Sequence, residues 1–225
     1  MKKQQLKDLM DNLGITYPEL LGIDLSEGSE EEVFKWFLVS MLFGAPITES
    51  AATKTYHCFE KHKMLTLKRI LDTGWDGLVK ILDDGGYTRY DFKTADKLLL
   101  VMRNLHENYS GSLHRVHAQA ANPRDLEFRL GSLGKGIGDI TVGIFLRELR
   151  GIWKKADPNP TPLVVRAAEW CGIVKLSEHA TSSLKQLKHY WGAHKINGYS
   201  YLNFETALLR LGKDYVRKGK KPTFL

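Results

Sequence analysis

The sequence predicts an all-α chain. Apolar residues recur at helical spacing, helix-start and helix-stop signals bracket those runs, and no alternation typical of a strand lasts more than a few residues. Val33, Phe34, Phe37, Leu38, Met41 and Leu42 fall on one face of a buried helix. Ser29 followed by Glu32 is the capping-box pattern that starts this helix. Gly44-Ala45-Pro46 ends it, because a proline disfavours helical geometry in the residue before it. Thr48 and Glu49 open a second helix running to about His62. Leu65 to Leu71 and Trp75 to Leu82 read as short helices separated at Thr73-Gly74. Asp83 to Tyr87 is a turn, and Asp91 or Thr94 caps a helix through His106. A helix begins after Pro123, and another spans Leu163 to Trp170.

Composition narrows the function. The chain has 225 residues, of which 43% are hydrophobic and 26% charged, the usage of an ordered globular protein with a real core. Its formal net charge of +7 favours a polyanionic partner, most often nucleic acid. Two cysteines, Cys58 and Cys171, cannot supply a four-thiolate metal site or a disulfide framework, and read as packed thiols of a reducing compartment. No apolar run approaches the ~18 residues of a membrane span, and Met1 to Gln5 does not open a secretory signal. The expected setting is therefore intracellular, in the cytoplasm or nucleoid, away from membranes, with the chain a monomer. Charge is uneven. Glu27 to Glu32 is acidic, whereas Leu176 to Leu225 is rich in Lys and Arg against Glu178, Glu205 and Asp214. Lys213, Arg217, Lys218, Lys220 and Lys221 form the densest cluster, read as either a solvated face or a phosphate-facing tail.

The most specific stretch is Leu130 to Arg147. A short helix, Asp125 to Leu133, is followed by Gly134-Lys135-Gly136-Ile137-Gly138 and then by a second helix striped with Ile140, Ile144, Phe145, Leu146 and Leu149. Glycines between two helices permit positive φ and leave the backbone unobstructed. The link's amides and the second helix's N-terminus can then hold a phosphate oxygen, a contact that fixes position and reads no base. A glycine-rich αα turn that binds nothing is the plainer alternative.

With Thr141 following it, this stretch resembles the hairpin of the helix-hairpin-helix DNA glycosylases, the endonuclease III superfamily. Met41 to Glu49 is similar to that family's first DNA-facing loop, and Gly85-Gly86-Tyr87 through Thr94-Ala95, with the helix Leu98 to Leu105, to its next minor-groove loop and helix. Phe204 to Gly212 with Lys220-Lys221-Pro222 looks like the helix that in many relatives leads into an iron–sulfur loop; the four cysteines found there in relatives are missing here. The resemblance covers about residues 30 to 225. It implies two helical lobes with a DNA-binding cleft between them, 30–150 ending in the helix-hairpin-helix motif at about 125–149, and 1–29 with 151–225. Double-stranded DNA carrying a damaged or mismatched base would be the partner, with the target nucleotide flipped into the cleft. Gly134, Lys135, Gly136, Ile137, Gly138 and Thr141 would grip the backbone, and a monovalent cation could be shared by the hairpin carbonyls. Pro46, Tyr87 and Arg89 would join them, Tyr87 as a wedge filling the vacated stack. No iron–sulfur cluster or other cofactor is expected.

Breaking an N-glycosidic bond builds positive charge on the sugar, which a carboxylate can stabilise. In the family a catalytic Asp follows the hairpin by about one helix and a turn. Asp157, in Lys155-Ala156-Asp157-Pro158-Asn159-Pro160, meets that spacing, although Pro158 to Pro162 intervenes where relatives enter the next helix directly. Aligned on the helix Leu163 to Trp170 instead, the position falls on Pro160 or Thr161 and holds no carboxylate. Lys154 and Lys155 flank Asp157 and would favour its ionised form. Bifunctional relatives place a nucleophilic lysine where this chain has Ile140, so base removal without strand cleavage is the expected chemistry. Lyase activity through Lys135, Lys154 or Lys155, and an inert DNA-binding module, are the alternatives. Trp153 could stack on the flipped base. The His114/His117 pair has helical reach for a metal but no accompanying ligand pattern, so no metal site is expected.

Overall fold

The computed structural model describes residues 1–175 and 180–225, so Glu178 of the C-terminal charge balance lies outside the described residues. Those residues form twelve α-helices and a short 3₁₀ turn, with no strand among them. In chain order the helices are α1 (Lys3–Leu13), α2 (Tyr17–Leu20), α3 (Glu30–Phe43), α4 (Glu49–Lys61), α5 (Leu67–Gly85) and α6 (Asp91–Tyr109). They continue with α7 (Leu113–Gln119), α8 (Pro123–Gly131), α9 (Asp139–Glu148), α10 (Pro162–Trp170), α11 (Ala180–Ala193) and α12 (Tyr201–Asp214).

The helix starts follow their caps. Ser29, Thr48, Thr66, Asn122, Thr161 and Ser200 each accept a first-turn amide, satisfying a donor that the helix leaves over. At Ser29 the box closes on one side only. The Glu32 carboxylate turns away to accept the Asp24 amide at 3.0 Å and to pair with Lys35 at 2.6 Å. The expected pair of helices around Gly74 is one element, α5, kinked where Gly74 leaves helical geometry at φ 68°.

The chain divides into two compact units, Leu21–Pro158 and Met1–Leu20 with Asn159–Leu225. The divisions fall at 21 and 158 where the sequence suggested 30 and 150. The added segments belong to the larger unit by contact: a Cβ at Gly28 would lie 2.6 Å from Ile152 Cγ2, and the residues after 150 are tied back to α7 and to Arg150 as described below.

In the larger unit α3 is the central helix, with Trp36, Phe37, Leu38 and Met41 fully buried. It packs on α9 through a Phe37–Phe145 edge contact (ring centroids 5.0 Å apart) and through the Trp36 indole, which donates to the Phe145 carbonyl at 3.1 Å. The smaller unit has its own core, in which Leu6, Leu9 and Met10 of α1 meet Val164, Ala167, Trp191, Phe204, Leu208 and Leu211. Its last residues fold back on that core, with Phe224 edge-on to Tyr215 and the Gln5 side chain donating to the Leu225 carbonyl at 3.3 Å. The turn between Tyr215 and Phe224 therefore has a fixed base, and Arg217, Lys218, Lys220 and Lys221 are exposed on it.

Candidate nucleic-acid interface and acid loop

The link between α8 and α9 is laid flush along one face of α6. The Asn104 side chain donates to the Leu133 carbonyl at 2.8 Å. One turn earlier on α6, Val101 lies where a Cβ at Gly134 would come within 2.8 Å of its Cγ2. A further turn earlier, the Lys97 stem passes under Gly136, its Cδ 3.1 Å from where a Cβ would stand. Lys97, Val101 and Asn104 thus form an i, i+4, i+7 shelf. Leu133 and Ile137 point down into the fold and are buried. Lys135, Gly136, Gly138 and Asp139 are exposed above them.

Two glycines shape the exposed edge differently. Gly136 has φ 96°, a conformation that an L side chain rarely adopts, and it lets the chain reverse before the Ile137 amide donates to the Gly134 carbonyl at 3.1 Å. Gly138 is the N-cap of α9 in extended geometry (φ −98°), contributes no capping side chain, and has open space around the position of a Cβ. The first-turn amides of α9 are therefore left without a side-chain cap beside an unobstructed backbone, the arrangement that holds an oxyanion. The side-chain charge there is balanced, Lys135 against Asp139.

The other two loops named from the sequence meet this link at the C-terminal end of α3. Thr141 is buried, with its Oγ1 so close to Gly44 that a Cβ there would lie 2.1 Å away. The Tyr87 hydroxyl donates to the Leu42 carbonyl, and the Lys97 ammonium donates to the Met41 carbonyl at 2.9 Å. Pro46 and Arg89 are exposed on their loops, Arg89 with its guanidinium 6.0 Å from the Tyr90 ring centre.

Four expectations are corrected here. Tyr87 is no wedge: its ring is fully buried and its hydroxyl is spent inside, because it ties the α5–α6 turn to α3, and burial raises its pKa well above the phenol range. Trp153 has no face to offer a base. It is 4% exposed, stacked on His117 (4.7 Å, 17°) and edge-on to His114 and Phe145. Ile140 does not belong to the buried stripe of α9. It is 71% exposed in the first turn, while Val142, Phe145, Leu146 and Leu149 carry the packing. Lys155 does not flank the carboxylate of Asp157. Its ammonium caps α7, donating to the carbonyls of His117 at 2.6 Å and Ala118 at 3.3 Å.

Asp157 is held by a residue the sequence reading passed over. The Arg150 guanidinium, 7% exposed, donates one nitrogen to Asp157 Oδ1 and another to the Pro158 carbonyl. The fork fixes both the side chain and the backbone of the loop, leaving the Asp157 side chain 39% exposed. Lys97 was likewise passed over. It sits mid-helix beside Leu98 and Leu99 and has no motif to mark it; burial lowers its ammonium to about 8.

His114 and His117 pack against Trp153. Glu30 caps α7 from α3, accepting from the Ser112 hydroxyl and the Leu113 amide at 2.6 Å each, so α7 is clasped at both ends. Burial, then Lys155 and His114, lower the pKa of His117. The unfolded chain takes up this proton at higher pH than the folded chain. Stability is then at its full value above about 6.5 and declines as pH falls through the folded value. The melting temperature is expected to fall between pH 7 and pH 5, and His117→Phe, which keeps the stack on Trp153, is expected to flatten that fall. Burial raises the Cys171 thiol to about 11, which leaves it a poor nucleophile. Among the described residues, no group of three or more His, Cys, Asp or Glu side chains is placed to hold a metal ion, and no helix is long and apolar enough to cross a membrane.

Solved structures with the same architecture include the 8-oxoguanine DNA glycosylase of Thermotoga maritima, with a TM-score of 0.54 and 18% identity over 91% of this chain and 89% of that one. The 3-methyladenine DNA glycosylase of H. pylori, solved with 1,N6-ethenoadenine, gives a TM-score of 0.57 and 12% identity over 97% of this chain and 100% of that one. No protein-family model and no curated protein matches the sequence. The chain therefore has the all-helical fold of these DNA glycosylases, with its helix-hairpin-helix at α8–α9.

Proposed function

We propose that this protein is a DNA glycosylase of base-excision repair, releasing a damaged or mismatched base from duplex DNA without cutting the strand. The observation that carries the reading is the α8–α9 link, whose uncapped amides and open Gly138 backbone stand on a fold shared with two DNA glycosylases. The duplex backbone would be anchored there through phosphate at the α9 amides, with Lys135 beside them and Pro46 and Arg89 bordering the strand. The anchor reads no sequence, so choice of the base lies with other residues.

In the reaction, the bond between the base nitrogen and C1′ breaks and the base leaves with the electron pair. Asp157 stabilises the positive charge left on the sugar, and water adds at C1′ and gives up a proton that ends on the departed base. Arg150 would hold the carboxylate in place by its fork to Asp157 and Pro158. Ile140 supplies no amine, and the Lys155 ammonium is committed to α7, so hydrolysis is favoured over attack by lysine. The named bases of the two structural neighbours differ, and the fold alone does not choose between them.

The test is a panel of duplexes carrying uracil, 8-oxoguanine, alkylated purines or oxidised pyrimidines, treated with hot alkali after incubation. Strand breaks that need alkali are the expected result. Breaks without alkali, trapped by borohydride, would instead establish a lyase acting through Lys135 or Lys154. Duplex binding with no release on any lesion would establish an inert binding module.

A further inference from the structure

The link that is open to phosphate stands against the wrong end of another helix. Gly44, at the C-terminus of α3, touches Thr141 in the first turn of α9. A helix C-terminus carries about half a negative charge, and the N-terminus of α9 about half a positive one. Side by side they offset each other, and the exposed side chains do not restore the balance, since Lys135 is matched by Asp139. A polyanion brought to this edge would meet little net attraction. One cation stands at the junction. The Lys97 stem runs beneath Gly136, and its ammonium ends on the Met41 carbonyl, one of the last-turn acceptors of α3.

We propose that Lys97 is a positioning residue for backbone recognition, whose positive charge neutralises the C-terminal end of α3 and so lets the α8–α9 amides act on a phosphate. It reaches the phosphate through its field and not by contact, because Gly136 lies over its stem. The inference rests on the reading that this link binds duplex DNA, and it adds to that reading which part-buried residue makes the binding favourable. An ammonium is costly to bury, and burial is what acts on its titration, so its place here is a cost to folding that an apolar residue would avoid.

The experiment compares Lys97→Met, Lys97→Gln and Lys97→Arg with the unaltered protein. Affinity for a lesion-free duplex is measured by fluorescence anisotropy at fixed salt, together with the melting temperature of each variant. Glutamine keeps a donor for the Met41 carbonyl without the charge, whereas arginine keeps the charge. The expected result is that Met and Gln bind about tenfold more weakly than the unaltered protein, for every duplex sequence alike, while Arg stays within about threefold of it. The melting temperature of the Met variant is expected to be no lower than that of the unaltered protein. Affinity restored by Gln, or unaffected by Met, overturns the proposal while leaving the binding reading intact. A loss of affinity that follows a loss of melting temperature in all three assigns Lys97 to packing and also overturns it. If the unaltered protein binds no duplex, the underlying reading fails and this inference with it.

Discussion

Asp157→Asn is expected to lower base release by about a hundredfold to a thousandfold, the scale seen when a group stabilising developing charge is removed. Duplex affinity is expected to stay within about twofold, because phosphate contacts dominate it and none is assigned to Asp157. The amide is nearly the same size and can still accept from Arg150, so the loop keeps its course. What it loses is the negative charge that faces the oxocarbenium-like sugar. Single-turnover release from the best lesion of the panel, beside anisotropy on the same duplex, separates the two quantities. Release at the unaltered rate would remove Asp157 from the chemistry. Loss of binding in step with release would mean that the residue supports the fold through its pair with Arg150. A melting curve of the variant tells those outcomes apart: a fall in melting temperature marks loss of the hold on the buried Arg150, and an unchanged one marks a role in the chemistry.

The second large effect separates folding from recognition within one short link. Gly136→Ala must adopt φ near 96° and press on the Lys97 stem, so it costs about 1–2 kcal/mol, a fall of roughly 2–8 °C in melting temperature for a chain of this size. Gly138→Ala meets nothing within 4 Å and keeps an ordinary φ of −98°. Its cost is that of a poorer cap, about 0.5 kcal/mol. Its methyl group, however, stands between the uncapped amides and an approaching phosphate. Duplex affinity is expected to fall about tenfold in Gly138→Ala, equally for all sequences, with melting almost unchanged. If Gly138→Ala binds as the unaltered protein does, the phosphate is not held at this edge, whatever Gly136→Ala does.

Both expectations rest on features visible along the chain, and it is instructive which ones they are. Ser29, Thr48 and Pro123 mark helix starts by chemistry that acts within one turn, so the sequence alone places them. The spacing of Gly134, Gly136 and Gly138 between two apolar stripes is equally local, and so is the distance from that link to Asp157. Other helices, α7 and α11 among them, are not legible in this way. Leu113 and Val116 are the buried residues of the seven in α7, too few for a stripe, and its ends are closed by Glu30 and Lys155 from far along the chain.

Periodicity says that a helix has a covered face but not what covers it. Tyr87 and Trp153 look like side chains free to meet DNA because glycines and lysines surround them in sequence. Packing instead puts Tyr87 under the end of α3 and closes His114, His117 and Phe145 around Trp153. Ile140 is turned to solvent on the outer face of α9 while Thr141 and Val142 beside it are buried, which no local pattern records. Lys97 and Arg150 gain their roles from partners that only the fold brings near, the Met41 carbonyl for one and the Asp157 loop for the other. Short-range backbone chemistry thus set the helices, the glycine link and the position of the acid in the chain. Burial and charge pairing, which depend on residues distant in sequence, decided which side chains remain open to solvent and which are locked inside the fold.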